Sequence, residues 1–66
     1  MRPISGREHD VVLLIAEGLS NKEIARKLDI GVSTTKVHVH NILLKLGLQR
    51  RGQIPCWWVS NGEKAP

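Results

Sequence analysis

The stretch from Gly18 to Gly47 reads GLSNKEIARKLDIGVSTTKVHVHNILLKLG and contains the strongest indications of secondary structure in this chain. Ser20 is followed three residues later by Glu23, which is the S-x-x-E pattern of a capping box at the start of a helix. The apolar residues that follow this box recur at helical spacing, so we predict a helix over residues 21–28.

A tight turn separates this helix from the next one. The turn is predicted over Asp29–Val32, where Gly31 is expected to adopt a positive φ. Ser33 is predicted to be the N-cap of a helix over residues 33–46, and Gly47 is predicted to end that helix. A connection of about four residues between two helices is typical of a helix-turn-helix.

The residues before this stretch predict a further helix. Ser5 and Glu8 repeat the capping box, so this helix is expected over residues 6–17, with Gly18 as its C-terminal stop. Short connections between successive helices exclude a parallel sheet, because its crossovers are longer. We therefore expect an all-α, compact helix-turn-helix domain of three to four helices that occupies residues 1–66 as one unit.

The C-terminal part of the chain allows two interpretations. A fourth helix over residues 53–61 would have Gly52 as its N-cap and Pro55 in its first turn, where a missing N–H is tolerated. The alternative is an extended, frayed segment. Trp57 and Trp58 are neighbours and cannot both face inward from a helix, so one is expected to cover the core and the other to be an interface anchor.

The charge of the chain is unevenly distributed. Its 66 residues include ten Lys or Arg and six Asp or Glu, a net charge of +4, but residues 1–29 carry five of each sign and are neutral. Residues 30–62 contain no acid and four basic residues, which are Lys36, Lys45, Arg50 and Arg51. A basic half without carboxylates indicates a polyanionic partner, although a solvated surface with no specific partner is the simpler alternative.

Composition argues against several other classes of protein. The longest apolar run, residues 11–16, is too short to span a membrane, and Cys56 has no second cysteine for an internal disulfide. His38 and His40 point to opposite sides of a helix and cannot chelate one metal ion. The chain has no recognisable carboxylate pair, nucleophile–base pair or phosphate loop. We therefore expect no metal, no cofactor, no small-molecule ligand and no enzymatic activity.

The predicted helix over residues 33–46 has a polar outer face that includes Lys36, Val37 and His40. A lysine can donate to guanine O6 or N7, and a valine can contact a thymine methyl group, so this face suits entry into the major groove of DNA. The simpler alternative for Lys36 and His40 is solvation without any partner. The opposite side is the predicted core stripe, which consists of Thr35, His38, Val39, Ile42 and Leu46, with Leu43 at its edge.

These residues together resemble the LuxR/GerE-type helix-turn-helix DNA-binding domain, in particular the output domains of NarL/FixJ-like response regulators. The resemblance covers about residues 4–51, and its combination of motifs is hard to reach by chance. The matching residues are Ser5, Arg7, Glu8, the run Val11–Glu17, the run Gly18–Ala25, Lys36, Val37, His38, Ile42 and Lys45–Gly47.

The resemblance implies a bacterial transcription regulator in the cytoplasm, associated with the nucleoid through double-stranded DNA. It implies a four-helix domain whose third helix enters the major groove and whose fourth helix carries a dimer contact. The base contacts that it implies are Lys36, Val37 and His40, while Glu8 and His38 would be framework positions. The backbone contacts that it implies are Asn21, Lys22, Ser33, Thr34, Lys45 and Arg51.

The sequence departs from the family pattern at several positions. Thr35 stands where valine is usual and could donate back to a carbonyl of its own helix. His40 stands where lysine or arginine is frequent, and Gly52 replaces the usual Ser or Thr cap of the fourth helix. Pro55 and the two tryptophans replace an alanine-rich dimer helix, which leaves homodimerisation on DNA open.

A function of another class is also compatible with the sequence. Helix-turn-helix domains can act as protein-interaction modules, and the tryptophan-bearing tail, together with Leu44, offers apolar anchors for a partner. The two functions differ in their salt dependence, because phosphate binding weakens steeply with ionic strength and an apolar interface does not.

Overall fold

The computed structural model describes residues 4–61 and confirms the all-α prediction. Within this range there are helices and turns but no strand. The elements, in chain order, are α1 (Gly6–Ala16), α2 (Asn21–Leu28), α3 (Val32–Leu46), a 3₁₀ turn (Arg51–Gln53) and α4 (Ile54–Asn61). The first three predicted helices agree with these bounds to within one residue at each end.

Both predicted capping boxes are present and define where α1 and α2 begin. The Ser5 hydroxyl accepts from the Glu8 N–H at 3.2 Å, and the Glu8 carboxylate accepts from the Ser5 N–H at 3.1 Å. The corresponding distances for Ser20 and Glu23 are 3.2 and 2.8 Å. Each box satisfies two N–H groups that have no partner within the helix, so sequence-local chemistry sets both helix starts.

The turn between α2 and α3 differs from the prediction. Asp29, not Gly31, adopts the left-handed conformation, with φ of 57°. Gly31 is extended and is the N-cap of α3 instead of Ser33. The reason is Thr35, whose N–H and hydroxyl both donate to the Gly31 carbonyl at 3.0 Å, so that the helix begins at Val32. Ser33 therefore lies inside the first turn and does not cap it.

The tail forms a helix, so the extended alternative is wrong for residues 54–61. The predicted cap, Gly52, is also wrong, because it lies within the 3₁₀ turn that precedes α4. The Gln53 side-chain oxygen accepts from the N–H groups of Gln49 and Arg50 at 2.7 and 2.9 Å and closes this turn. Pro55 is the second residue of α4, within the first turn, as the fourth-helix interpretation required.

Helix α1 lies at the centre of the packing. It contacts α2, α3 and α4, and α2 also packs against α3. The core contains Thr35, Val39 and Ile42 of the predicted inner stripe of α3 and Ile54 of α4, whereas His38, Leu43 and Leu46 are only partly buried. Its buried apolar members are Val11, Val12, Leu14, Ile15, Ile24, Ala25, Val39, Ile42 and Ile54. Among residues 4–61, no helix is long and apolar enough to cross a membrane.

Candidate nucleic-acid interface

The outer face of α3 is exposed, as its pattern predicts. Lys36, Val37 and His40 all lie in solvent, and Val37 is 57% exposed although it is apolar. Thr35 and Val39 are buried on the opposite side. Helical spacing puts the three exposed side chains on one face, so a cation, an apolar group and an imidazole are presented together.

Two short polar residues begin this surface, and two further polar residues begin α2, the helix that packs against α3. Ser33 and Thr34 are exposed in the first turn of α3. Asn21 and Lys22 begin α2, where Lys22 is exposed and Asn21 is partly buried. The N-terminal end of a helix favours anions, because its first N–H groups lack intrahelical partners.

The acid nearest in sequence to Lys22 is held within its own helix turn. Glu23 accepts from the Ser20 N–H, and this backbone hydrogen bond, with the Ser20 hydroxyl, lowers the pKa of Glu23 below its ordinary value. The carboxylate is therefore oriented toward the cap of α2.

Lys45 has an internal partner that the sequence did not predict. Its ammonium group lies 2.6 Å from the Glu8 carboxylate and is partly buried. Burial raises the pKa of Glu8. The hydrogen bonds from Lys45 and Ser5 and the charge of Lys45 together lower it by more, so the net shift of this pKa is downward. The two residues are 37 positions apart, and no sequence-local signal identifies such a pair.

Arg51 and Asn21, both predicted to contact DNA phosphates, are joined to each other. One guanidinium nitrogen of Arg51 donates to the Asn21 side-chain oxygen, and another donates to the Leu19 carbonyl. The structure thus ties the 3₁₀ turn to the start of α2. This contact, like the Lys45–Glu8 pair, joins distant parts of the chain and was not foreseen.

The same side of α3 continues toward its C-terminal end with an exposed leucine. Leu44 lies one helical turn after His40 and is 69% exposed. The whole segment 30–62 carries no carboxylate, so α3 contributes no negative charge to this surface. This helix exposes polar, basic and apolar side chains and no carboxylate. Such a surface suits the major groove of DNA, which phosphates border and whose floor presents hydrogen-bonding groups and methyl groups of the bases.

Helix α4 corrects the expectation that one tryptophan would remain free as an anchor. Both Trp57 and Trp58 are partly buried and pack against the core, and the Trp58 ring meets His9 edge-on with centroids 5.4 Å apart. The exposed side of α4 instead carries Val59, which is 79% exposed, and Cys56. Within residues 4–61, no three His, Cys, Asp or Glu side chains form a metal-ligand set.

Comparison with known proteins gives matches over nearly the whole chain. The family model described as bacterial regulatory proteins, luxR family, matches residues 2–58. The chain is 50% identical over 54 residues to the nitrate/nitrite response regulator protein NarL of Escherichia coli K12, covering 82% of this chain and 25% of NarL. It is 43% identical over 60 residues to the uncharacterized transcriptional regulatory protein YxjL of Bacillus subtilis, covering 91% of this chain and 28% of YxjL.

A further match is to the response regulator protein VraR of Staphylococcus aureus strain Mu3. It is 50% identical over 50 residues, covering 76% of this chain and 24% of VraR. The chain therefore spans about a quarter of the length of these curated relatives.

Proposed function

Because this chain belongs to the LuxR family of bacterial regulatory proteins, we propose that it binds double-stranded DNA and reads its sequence through α3 in the major groove. The observation that carries this proposal is the shared exposed face of Lys36, Val37 and His40. These side chains lie on a helix that α1 and α2 support from behind. A helix held in this way can enter the groove without its own core residues being uncovered.

Lys36, Val37 and His40 are the proposed base contacts. The Lys36 ammonium donates to guanine O6 or N7, and the Val37 methyl groups contact a thymine methyl. His40, one turn later on the same face, meets the edge of a neighbouring base pair. Sequence is read by such base-edge contacts, because phosphates are the same at every step of the duplex.

The proposed contacts to the DNA backbone flank this helix. Ser33 and Thr34 offer hydroxyl groups at the start of α3, and Asn21 and Lys22 offer donors at the start of α2. Lys45 completes the direct contacts, and Arg51 joins this region through its hydrogen bond to Asn21. An ammonium has three N–H donors, so Lys45 keeps donors beyond the one that Glu8 accepts.

The exposed side of α4 is the proposed site of homodimerisation on DNA. Val59 and Cys56 leave apolar surface uncovered there. One module of this size contacts few base pairs, so useful specificity requires two copies on a repeated half-site. Sedimentation of the chain with and without a two-site duplex tests this, and a 1:1 complex under all conditions would contradict it.

By similarity to NarL and VraR, which are named response regulators, the proposed biological role is transcription regulation in the bacterial cytoplasm, associated with the nucleoid through DNA. A DNA-binding regulator acts by occupying a site, so the proposal includes no catalytic step, no cofactor and no small-molecule ligand in this domain.

Selection from a random-core duplex pool tests the proposed function directly. The chain is incubated with the pool at about physiological salt, where non-specific phosphate binding is weak, and the bound duplexes are sequenced. An enriched motif is expected, and a two-fold repeat within it would also support the dimer. Binding that fades with salt and enriches no motif would contradict sequence-specific recognition.

The salt dependence of binding separates this function from the protein-interaction alternative. Four to six phosphates neutralised per domain predict a log–log slope of about −4 to −5. An apolar interface would depend weakly on ionic strength. Both tryptophans are partly buried against the core and leave less apolar surface for the interaction alternative, so Leu44 is its main exposed anchor.

A further inference from the structure

We propose that Arg51 is a positioning residue for DNA binding, which holds the Asn21 side chain so that its amide N–H groups point toward a phosphate. This inference rests on the proposed function and assigns to Arg51 a role different from that of a direct phosphate contact. It is carried by the hydrogen bonds that Arg51 makes to two groups at the start of α2.

The Arg51 guanidinium determines which way the Asn21 amide faces. A carboxamide has an acceptor oxygen on one side and a donor NH₂ group on the other, whereas a guanidinium only donates. Arg51 can therefore bind Asn21 only through its oxygen, as observed. The NH₂ group of Asn21 therefore does not bind Arg51 and is the donor that this inference assigns to a phosphate.

Arg51 also engages a second acceptor at the same place. Its other terminal nitrogen donates to the Leu19 carbonyl, in the turn just before α2. Two acceptor oxygens that would repel a phosphate are thus turned toward one cation. The donors at the start of α2 are then the Asn21 amide and the Lys22 ammonium, while the Glu23 carboxylate is held by the Ser20 N–H.

The pair of hydrogen bonds from Arg51 to Asn21 and Leu19 requires an arginine. The two acceptors belong to different residues, and a planar guanidinium reaches both at once through separate nitrogens. A lysine at this position would keep the positive charge but presents a single nitrogen. Arg51→Lys therefore separates charge from bridging, whereas Arg51→Met removes both.

The test measures affinity for the enriched duplex from the selection experiment, or for the random-core pool if none is enriched, over a range of salt concentrations. Wild type is compared with Arg51→Lys, Arg51→Met, Asn21→Ala and the double variant Asn21→Ala/Arg51→Met. Thermal unfolding followed by circular dichroism identifies a temperature at which each variant is folded. Arg50→Met is the matched control, because it removes an exposed positive charge from the residue next in sequence.

If Arg51 acts through Asn21, each Arg51 variant loses about tenfold in affinity, similar to Asn21→Ala. The double variant then binds no more weakly than the Arg51→Met variant, because the two residues act as one unit. The salt slope of Arg51→Met stays close to that of wild type. A direct phosphate contact predicts instead that the slope falls by about 0.9 and that the two losses multiply.

Asn21→Asp keeps the inference testable if the Arg51 variants fail to fold. Aspartate retains an acceptor for Arg51 but replaces the outward NH₂ group with an oxygen. We expect this variant to melt at or above the wild-type temperature and to bind DNA more weakly than Asn21→Ala. An Asn21→Asp variant that binds as tightly as wild type would overturn the inference.

Other outcomes are equally decisive. Full affinity in Arg51→Lys, or an equal loss in Arg50→Met, would assign the effect to charge alone and overturn the positioning role. Absence of salt-dependent DNA binding by wild type would overturn the proposed function itself, and with it this inference.

Discussion

The Lys45 ammonium lies 2.6 Å from the Glu8 carboxylate and ties the last turn of α3 to the first turn of α1. Glu8 is at the same time the acceptor of the α1 capping box. One buried carboxylate thus serves both the start of a helix and the packing of two helices. The helix proposed to enter the groove is held at its C-terminal end by this pair.

The Glu8–Lys45 pair predicts a dependence of stability on pH. The folded-state pKa of Glu8 lies below its ordinary value of 4.5, so its contribution is fully present above the unfolded pKa and is lost as pH falls through the folded one. Thermal unfolding should therefore show the melting temperature falling as the pH drops below the ordinary pKa of 4.5. Glu8→Gln should flatten this fall, whereas Glu17→Gln, at an exposed site, should leave its shape unchanged.

Lys45→Met should destabilise the fold by about 2 kcal/mol, because it leaves the buried Glu8 carboxylate without its cation. Urea unfolding measures this change. The double variant Glu8→Gln/Lys45→Met should regain part of the loss, since it removes the unpaired charge. Equal stability of wild type and Lys45→Met would show that the pair contributes nothing.

Helix caps predict a contrast between two serines. Ser20→Ala should destabilise the chain by about 1 kcal/mol, because its hydroxyl accepts from the Glu23 N–H. Ser33→Ala should change the unfolding free energy by less than about 0.5 kcal/mol, because Gly31 is the N-cap of α3. Chemical denaturation of both variants checks this, and a larger loss in Ser33→Ala would restore Ser33 as the cap.

Thr35→Val should leave stability unchanged or raise it by up to about 1 kcal/mol. Thr35 is fully buried, and its hydroxyl donates to the Gly31 carbonyl. That carbonyl keeps the bond from the Thr35 N–H when the hydroxyl is removed, so no buried acceptor is left unpaired. Thr35→Ser should instead lose about 1 kcal/mol, because a methyl group is deleted from the core. The same denaturation experiment compares the two variants. A clear loss of unfolding free energy in Thr35→Val would show that the hydrogen bond from the hydroxyl stabilises the fold.

Lys36→Ala should lower discrimination between bases at one or two positions by about 1–3 kcal/mol. Lys22→Ala should weaken all duplexes alike and reduce the salt slope by about 0.9, because phosphates carry no sequence information. Competition binding with single-substituted duplexes measures both. Uniform loss in both variants would contradict base reading by Lys36.

Much of the helical framework follows from signals within one turn of chain. The boxes at Ser5 and Ser20 and the alternation of faces on α3 act between residues three or four apart, so they can be read without the fold. The exposed set of Lys36, Val37 and His40 follows from the same spacing. The predicted N-cap of α3, Ser33, is wrong because a second plausible cap, Gly31, lies two residues earlier. The hydrogen bonds of the buried Thr35 to the Gly31 carbonyl favour Gly31.

Local sequence signals place α1, α2 and α3 and the face that α3 presents, because hydrogen bonds and side-chain periodicity within a turn govern both. The packing of the helices sets the contact of Lys45 with Glu8, that of Arg51 with Asn21, and the inward packing of both tryptophans. These contacts join residues far apart in the chain, so they exist only once α1 has brought the other helices together. Their partners depend on packing geometry, which no local pattern encodes.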